Sequence, residues 1–468
     1  MGGERWREGL VSRSPEGTDD VPTPTVGGFP PDGRVNATLG RLRGPNGASV
    51  GLLAATVLTG TALSTAVHYY YAQYLGRAFY PWSTFLQLPA VRFTDFLNDV
   101  RWAFNYRHHR ASDIAYTPFW HFMVGLVDTS QARAVLLALS LLFLAVLVWI
   151  VARYIADWSA GPAIGYQQVF ILTALSYPVL LAFDRGNSET LLFIFLAAFT
   201  YLYYVRASRW SMLFLALAIA MKLYPAVLLV VPLSDRKYRH TAAAGAGAAA
   251  LLLVSTVALG AETGRGAFGV LSDFTSTLHR IHVGEYLNLL HVQHGHSLWG
   301  LIGLYVIRSG GQRGAALEQA ASVYSVACVL IFAAVATYVI VIERAAWRRF
   351  ALLLLCGLLL PLSSHDYTSI QLYLVIALFV AAPFPSRYRS LYALLFGILL
   401  TPVDYVFLSG TDVSISVVVY PVVIVALMIM MVLEGFAQRR ERGWTGAAQV
   451  GAATPVDDQN PSTIVSRK

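Results

Sequence analysis

The chain has 468 residues, of which 56% are hydrophobic and only 13% are charged. That balance excludes an ordinary soluble domain, which cannot hide so much apolar surface. The formal net charge is +8, but the arginines cluster in short stretches between apolar runs, a pattern that orients membrane spans rather than one that binds nucleic acid. Cys328 and Cys356 both lie inside apolar runs, where they act as small hydrophobes, and no CxxC pair or disulfide framework is present.

Residues 1–47 are polar, rich in Pro and Gly, and carry Arg5, Arg7, Arg13, Arg34, Arg41 and Arg43. They read as a disordered cytoplasmic tail, with no apolar core before Ala48 to form a cleaved signal peptide. From 48 to 435, apolar runs of roughly 18–25 residues recur, the length that crosses a bilayer core of about 30 Å as a helix. They predict an all-α polytopic membrane protein of about twelve spans. The runs fall near 48–70, 133–156, 164–183 and 190–205, then as two short runs over 209–234. The rest lie near 241–260, 319–342, 350–363, 367–383, 390–408 and 415–434. The two short runs meet at MKLYP, 221–225, as expected for broken helices that line a cavity. Residues 436–468 begin with charge-rich sequence and read as a second disordered cytoplasmic tail.

The clusters Arg206/Arg209, Arg236/Lys237/Arg239, Arg344/Arg348/Arg349 and Arg387/Arg389 then fall on the side of the tails. The long loops 71–128 and 261–318 face the outside. AsnAlaThr at 36–38 matches a glycosylation acceptor but lies on the cytoplasmic side of this topology.

The first long loop is the richest in chemistry. Asp95 and Asp99 share a face if 93–104 is helical, because residues four apart are neighbours. Phe93, Phe96 and Trp102 stand beside them. A carboxylate near a second one, or walled off by aromatic rings, gains a raised pKa and can act as a general base. A solvated interfacial helix would have the same spacing. Pro118 opens a short apolar segment, 117–126, that reads as a half-helix at the interface or as plain packing. Asp184 and Arg185 stand at a span end before a Gly-Asn turn, where a salt-bridged helix terminus is the simpler reading. Lys222 lies among apolar residues and must snorkel, pair or face a polar cavity.

His365 and Asp366 follow PLSS between two apolar runs, and His291, His294 and His296 crowd the second long loop. The spacing of His291, His294 and His296 is not HExxH and no acidic partner is near them, so no metal site is expected. Neither a GxxxxGK[ST] loop nor a GxGxxG that opens a helix is present, which argues against nucleotide-driven chemistry. No cofactor is expected. On the outer face, a transferred group has to arrive on a lipid.

These residues resemble the GT-C superfamily of membrane glycosyltransferases, in particular glycosyltransferase family 87, the polyprenyl-phosphate-mannose-dependent mannosyltransferases. The resemblance runs through DFLNDVRWA at 95–103, YTPFW at 116–120, RGNSE at 185–189 and KLYP at 222–225, then HSLWG at 296–300 and SSHDY at 363–367. The family pattern leads one to expect Asn-Gln before the Ser-Leu, where this chain has Gly295-His296.

The resemblance implies a GT-C-type fold with a long first extracytoplasmic loop, in the plasma membrane. It implies transfer of a hexose, most readily mannose, from a polyprenyl-phosphate donor to a glycolipid or glycan hydroxyl, with inversion. Asp95 would be the catalytic acid residue, with Asp99 as the fallback. Arg185, Asn187, Lys222, His365, Tyr116 and His296 would contact the donor phosphate or substrate. A polyprenyl-phosphate arabinofuranosyltransferase and a lipid-glycan flippase are the alternatives. A transporter would use Lys222 and the broken helices as a pathway, but no internal repeat is apparent.

Overall fold

A computed structural model describes residues 47–74, 93–108, 114, 116–280, 296–309, 315–362, 364–382, 387–403 and 413–450. Every secondary-structure element among them is a helix. Helix α1 (Gly47–Tyr74) leads to α2 (Thr94–His108) and the short α3 (Pro118–Val124). Helix α4 (Ala132–Ile150) ends in a π turn, Val151–Ile155. Then come α5 (Pro162–Ala174), α6 (Tyr177–Arg185) and α7 (Glu189–Thr200), with α8 (Ser211–Met221) after a second π turn. A 3₁₀ turn at Tyr224–Leu229 runs into α9 (Val230–Ser234), followed by α10 (Tyr238–Thr263) and α11 (Gly266–Arg280). The chain continues through α12 (Leu298–Arg308), α13 (Ala315–Val341) and α14 (Ala346–Leu359). A 3₁₀ turn at Asp366–Gln371 opens α15 (Leu372–Val380), and α16 (Arg389–Leu399) and α17 (Ser416–Val450) follow.

Among the described residues, five helices are long and apolar enough to cross a membrane: α1, α4 with its π turn, α10, α13 and α17. Helices α5 and α6, bent by 46°, make a sixth if taken as one broken span. The sequence reading had 164–183 as one straight span; Pro178, which lacks an N–H and restricts the residue before it, accounts for the break. Two backbone groups freed at the break find partners elsewhere in the fold. The Tyr177 N–H donates to the Leu400 carbonyl at 3.0 Å, and Thr61 Oγ1 donates to the Leu175 carbonyl at 2.8 Å. That is the condition for tolerating broken backbone at membrane depth.

The core runs through α14, where Phe350 through Leu355 are all fully buried. A helix apolar on every face belongs in the middle of a bundle. On α10 and α13, by contrast, Leu253, Val254, Val326, Val329 and Leu330 are each more than 60% exposed, a surface suited to lipid and not to water. The expected N-terminal tail, apart from Gly47, lies outside the described residues, and so do residues 451–468. Helix α17 stays helical to Val450, beyond the boundary at 435 drawn from composition. The stretches read as long loops carry α2, α3, α11 and α12, while 281–295, with His291 and His294, lies outside the described residues.

Candidate active site

Helix α2 carries both carboxylates and presents a clear apolar stripe. Phe96, Val100, Ala103 and Tyr106 are buried at helical spacing, and Asp99 lies on that same buried stripe. Asp95 sits in the first turn and Arg107 and His108 in the last, each favourable to the helix dipole. The start of α2 is pinned to the end of α6. The Phe93 N–H donates to the Asp184 carbonyl at 2.7 Å, with Phe93 itself at φ 60°. Gly186 ends α6 in the left-handed conformation at φ 61°, and the Asn187 N–H returns to the Ala182 carbonyl at 3.1 Å. A Cβ on Gly186 would meet the Cα of Phe93 at 3.2 Å, so glycine serves both the turn and the close approach.

That junction brings Asp95 against the RGNSE turn. Asp95 Oδ1 lies 2.9 Å from Arg185 Nη2, and Asp95 Oδ2 accepts from Asn187 Nδ2 at 2.7 Å. The two residues expected to serve donor and acceptor separately are in direct contact. Asn187 also accepts, through Oδ1, the backbone N–H of Glu189 at 2.9 Å. It thereby bridges the acid to the next element.

Glu189 is fully buried and gathers three donors. Lys222 Nζ lies 2.8 Å from Oε1, Tyr224 OH donates to Oε2 at 2.8 Å, and Gln371 Nε2 donates to Oε2 at 3.1 Å. Lys222 stands where α8 stops, in extended backbone (φ −140°, ψ 137°), so its side chain leaves the helix toward α7. Its Nζ also lies 5.5 Å from the centre of the Tyr116 ring, within cation–π range. Lys222 therefore pairs, one of the options its apolar setting left open.

Asp99 has a different environment. It is buried, and Oδ2 accepts from Trp120 Nε1 at 2.9 Å, while Oδ1 has no hydrogen-bond partner among the described residues. Burial pushes its carboxyl up to about 8; the Asp95 charge adds to the rise, and the Trp120 hydrogen bond and the Lys222 charge oppose it. The aromatic wall expected around Asp95 is not there. Phe93 and Trp102 are exposed, and Phe96 packs edge-on against Trp120 with ring centres 6.4 Å apart. Trp120 itself is placed by α3, where Pro118 opens the helix and the Thr117 hydroxyl accepts the Trp120 N–H at 3.3 Å. Thr117 Oγ1 also donates to the Ala220 carbonyl at 2.6 Å, which docks α3 beside Lys222.

His365 leads into the neighbouring 3₁₀ turn, and His296, ahead of α12, packs against it. His296 is buried, with Nδ1 2.9 Å from Asp366 Oδ1 and Nε2 2.9 Å from Thr368 Oγ1. No acidic partner was evident from sequence; the fold supplies one seventy residues on. With both ring nitrogens engaged, His296 clasps the 3₁₀ turn that also carries Gln371 to Glu189. His365, just before that turn, sets its ring 5.3 Å from that of Tyr367. The structure thus joins Asp95, Arg185, Asn187, Glu189, Lys222 and Tyr116 into one chain of contacts.

A family model for glycosyltransferase family 87 matches residues 115–364, more than half of the chain; Tyr116, Trp120, Arg185, Asn187, Glu189, Lys222 and His296 lie within the match, and Asp95, Asp99, His365, Asp366 and Gln371 lie outside it. The chain belongs to glycosyltransferase family 87. It is a multi-pass membrane glycosyltransferase, as its apolar helices and its family together show. No curated protein and no solved structure matches it. Sequence reasoning about this family 87 enzyme missed Glu189, Trp120 and Asp366 as site residues. Glu189 offered a signal in hindsight: it follows Arg185 in a polar turn, and Lys222 needed an anion.

Proposed function

We propose that this family 87 enzyme transfers a hexose, mannose in the first instance, from a polyprenyl-phosphate donor to a hydroxyl of a glycolipid or glycan on the extracytoplasmic side. The observation that carries this reading is the row Asp95–Arg185–Asn187–Glu189–Lys222, which sets a proton acceptor against one cation, Arg185, and links it through Asn187 and Glu189 to a second, Lys222. Asp95 takes the proton of the acceptor hydroxyl, whose oxygen attacks the anomeric carbon. The bond from that carbon to the phosphate oxygen breaks, and its electron pair leaves with the polyprenyl phosphate. Arg185, Lys222 and His365 stabilise the charge that grows on the departing phosphate, and Asn187, Tyr116 and His296 orient the site. One displacement inverts the anomeric configuration.

The short helices α7, α14, α15 and α16, with the broken pair α8 and α9 at Lys222, complete a GT-C-type bundle of about twelve membrane segments, several shorter than a full span. Both termini are placed in the cytoplasm on the strength of the arginine clusters. A cysteine at the exposed Ser276 of α11 is expected to react with a membrane-impermeant thiol reagent in intact cells; protection there would invert the topology. The chemistry is tested with membranes and labelled polyprenyl-phosphate mannose. Consumption of the donor with release of lipid phosphate supports the reading. Use of a polyprenyl-phosphate pentose instead would move the enzyme to arabinofuranosyl transfer.

A further inference from the structure

The charges along this row cancel in pairs. Asp95 faces Arg185, and Glu189 faces Lys222. Glu189 stands out because it is completely enclosed while the Lys222 side chain keeps 15% of its surface open. Removing a carboxylate from water has a large desolvation cost, which is recovered only where its lone pairs are satisfied. Here Lys222, Tyr224 and Gln371 from three different elements satisfy them. A lysine meant only to grip a phosphate would grip best with no competing carboxylate at 2.8 Å.

We infer that Glu189 is a positioning residue that holds Lys222 in place and trims its charge, so that the lipid phosphate left after sugar transfer is released and not retained. This rests on the proposed polyprenyl-phosphate donor. The leaving phosphate carries more charge than the phosphodiester that arrived, because it loses its bond to the sugar. An uncompensated ammonium would favour product over donor, and slow release of that product would limit turnover. With Glu189 in contact, the ammonium is shared between a fixed carboxylate and a transient phosphate. The 3₁₀ turn clasped by His296 supplies Gln371 to the same carboxylate, so the carboxylate cannot swing away with the ligand.

The test uses the full-length enzyme in nanodiscs and a polyprenyl phosphate as product inhibitor. Glu189→Gln keeps the shape and an acceptor oxygen but removes the charge. It is expected to tighten inhibition by polyprenyl phosphate about tenfold, lower kcat, and lower the KM for the donor. Lys222→Met in the same assay is expected to weaken that inhibition, and Glu189→Gln combined with Lys222→Met to lose the tightening. A merely structural Glu189 would lower the yield of folded enzyme and leave the inhibition constant where it was, or weaken it; either result overturns the inference. If the wild-type enzyme is not inhibited and Lys222→Met changes nothing, the donor reading itself fails. If Lys222→Met weakens inhibition while Glu189→Gln leaves it unchanged, only the role of Glu189 fails.

Discussion

Two buried ionic clusters invite comparison. At the start of α14, Arg348 is enclosed by Glu343, Glu434 and Gln438. Its Nε lies 2.9 Å from Glu343 Oε2, its Nη2 donates to Gln438 Oε1 at 2.8 Å, and its Nη1 lies 3.5 Å from Glu434 Oε2. Tyr338 and Tyr392 donate further hydrogen bonds to the two carboxylates, at 3.1 and 3.0 Å. All three charged groups are almost wholly buried, and the cluster ties α13, α14, α16 and α17 together. The row from Asp95 to Lys222 has similar pairs but a different finish. Arg185, Asp95 and Lys222 keep 26%, 15% and 15% of their side chains open, and next to the row Asp99 leaves one carboxyl oxygen without a partner among the described residues. A sealed cluster holds helices; an unsealed one has capacity left for a ligand.

Four substitutions would break or sharpen that contrast. The largest effect is expected from Asp95→Asn, which preserves shape but cannot accept a proton. Turnover by the purified enzyme should fall by about 10²–10⁴-fold, with donor binding retained, since the base proposed here serves the acceptor. Turnover within threefold of wild type would remove the acid from the mechanism. Arg348→Met should act on the fold instead, lowering stability by about 3–5 kcal/mol because two carboxylates lose their cation. The fraction that stays folded should turn over normally, as thermal unfolding and active-site-normalised rates together would reveal.

Lys222→Met comes next, with a loss of at least about tenfold in donor binding or turnover, in keeping with one charge-assisted contact. Kinetics like wild type would put Lys222 in the sealed class with Arg348. Asp99→Asn should have the smallest effect on rate and the clearest effect on pH dependence. Asp99 has its folded pKa near 8, above the ordinary 3.8. Across that window the folded chain holds a proton that the unfolded chain has lost, so its contribution to stability falls as pH rises from about 4 to about 8. In Asp99→Asn that decline should flatten in thermal unfolding curves measured across the window. An unchanged slope would assign the pH dependence elsewhere.

Some of this was legible in the sequence because its signal is local. Asp95 and Asp99 stand out as acids between apolar runs, Pro118 marks a helix start, and Lys222 is conspicuous among Ala, Ile, Met and Leu. The break at Lys222 was readable from run length, and α8 does end at Met221. Glu189 was hidden because an acid in the first turn of a helix is commonplace. Asp366 was hidden because its partner His296 is distant in the chain, and no local pattern encodes a tertiary pairing. The bend between α5 and α6 was masked by an apolar run that reads equally well as one span, although Pro178 was there to be weighed. Which of two acids is the buried one depended on the position of Trp120, twenty-one residues later.

The contact between Gly186 and Phe93 has a mechanical meaning. It lets the start of the acid-bearing helix lie close against the end of α6, where the Phe93–Asp184 backbone hydrogen bond and the Asp95–Arg185 pair fasten the two. The position of Asp95 relative to the bundle is thus set by contacts within the protein. With the proposed lipid-borne donor, a thicker or thinner bilayer would move the donor headgroup while the acid stays where the bundle put it. Because a misplacement of about 1 Å can cost a hundredfold in rate, the enzyme should be tuned to the thickness of the membrane in which it works.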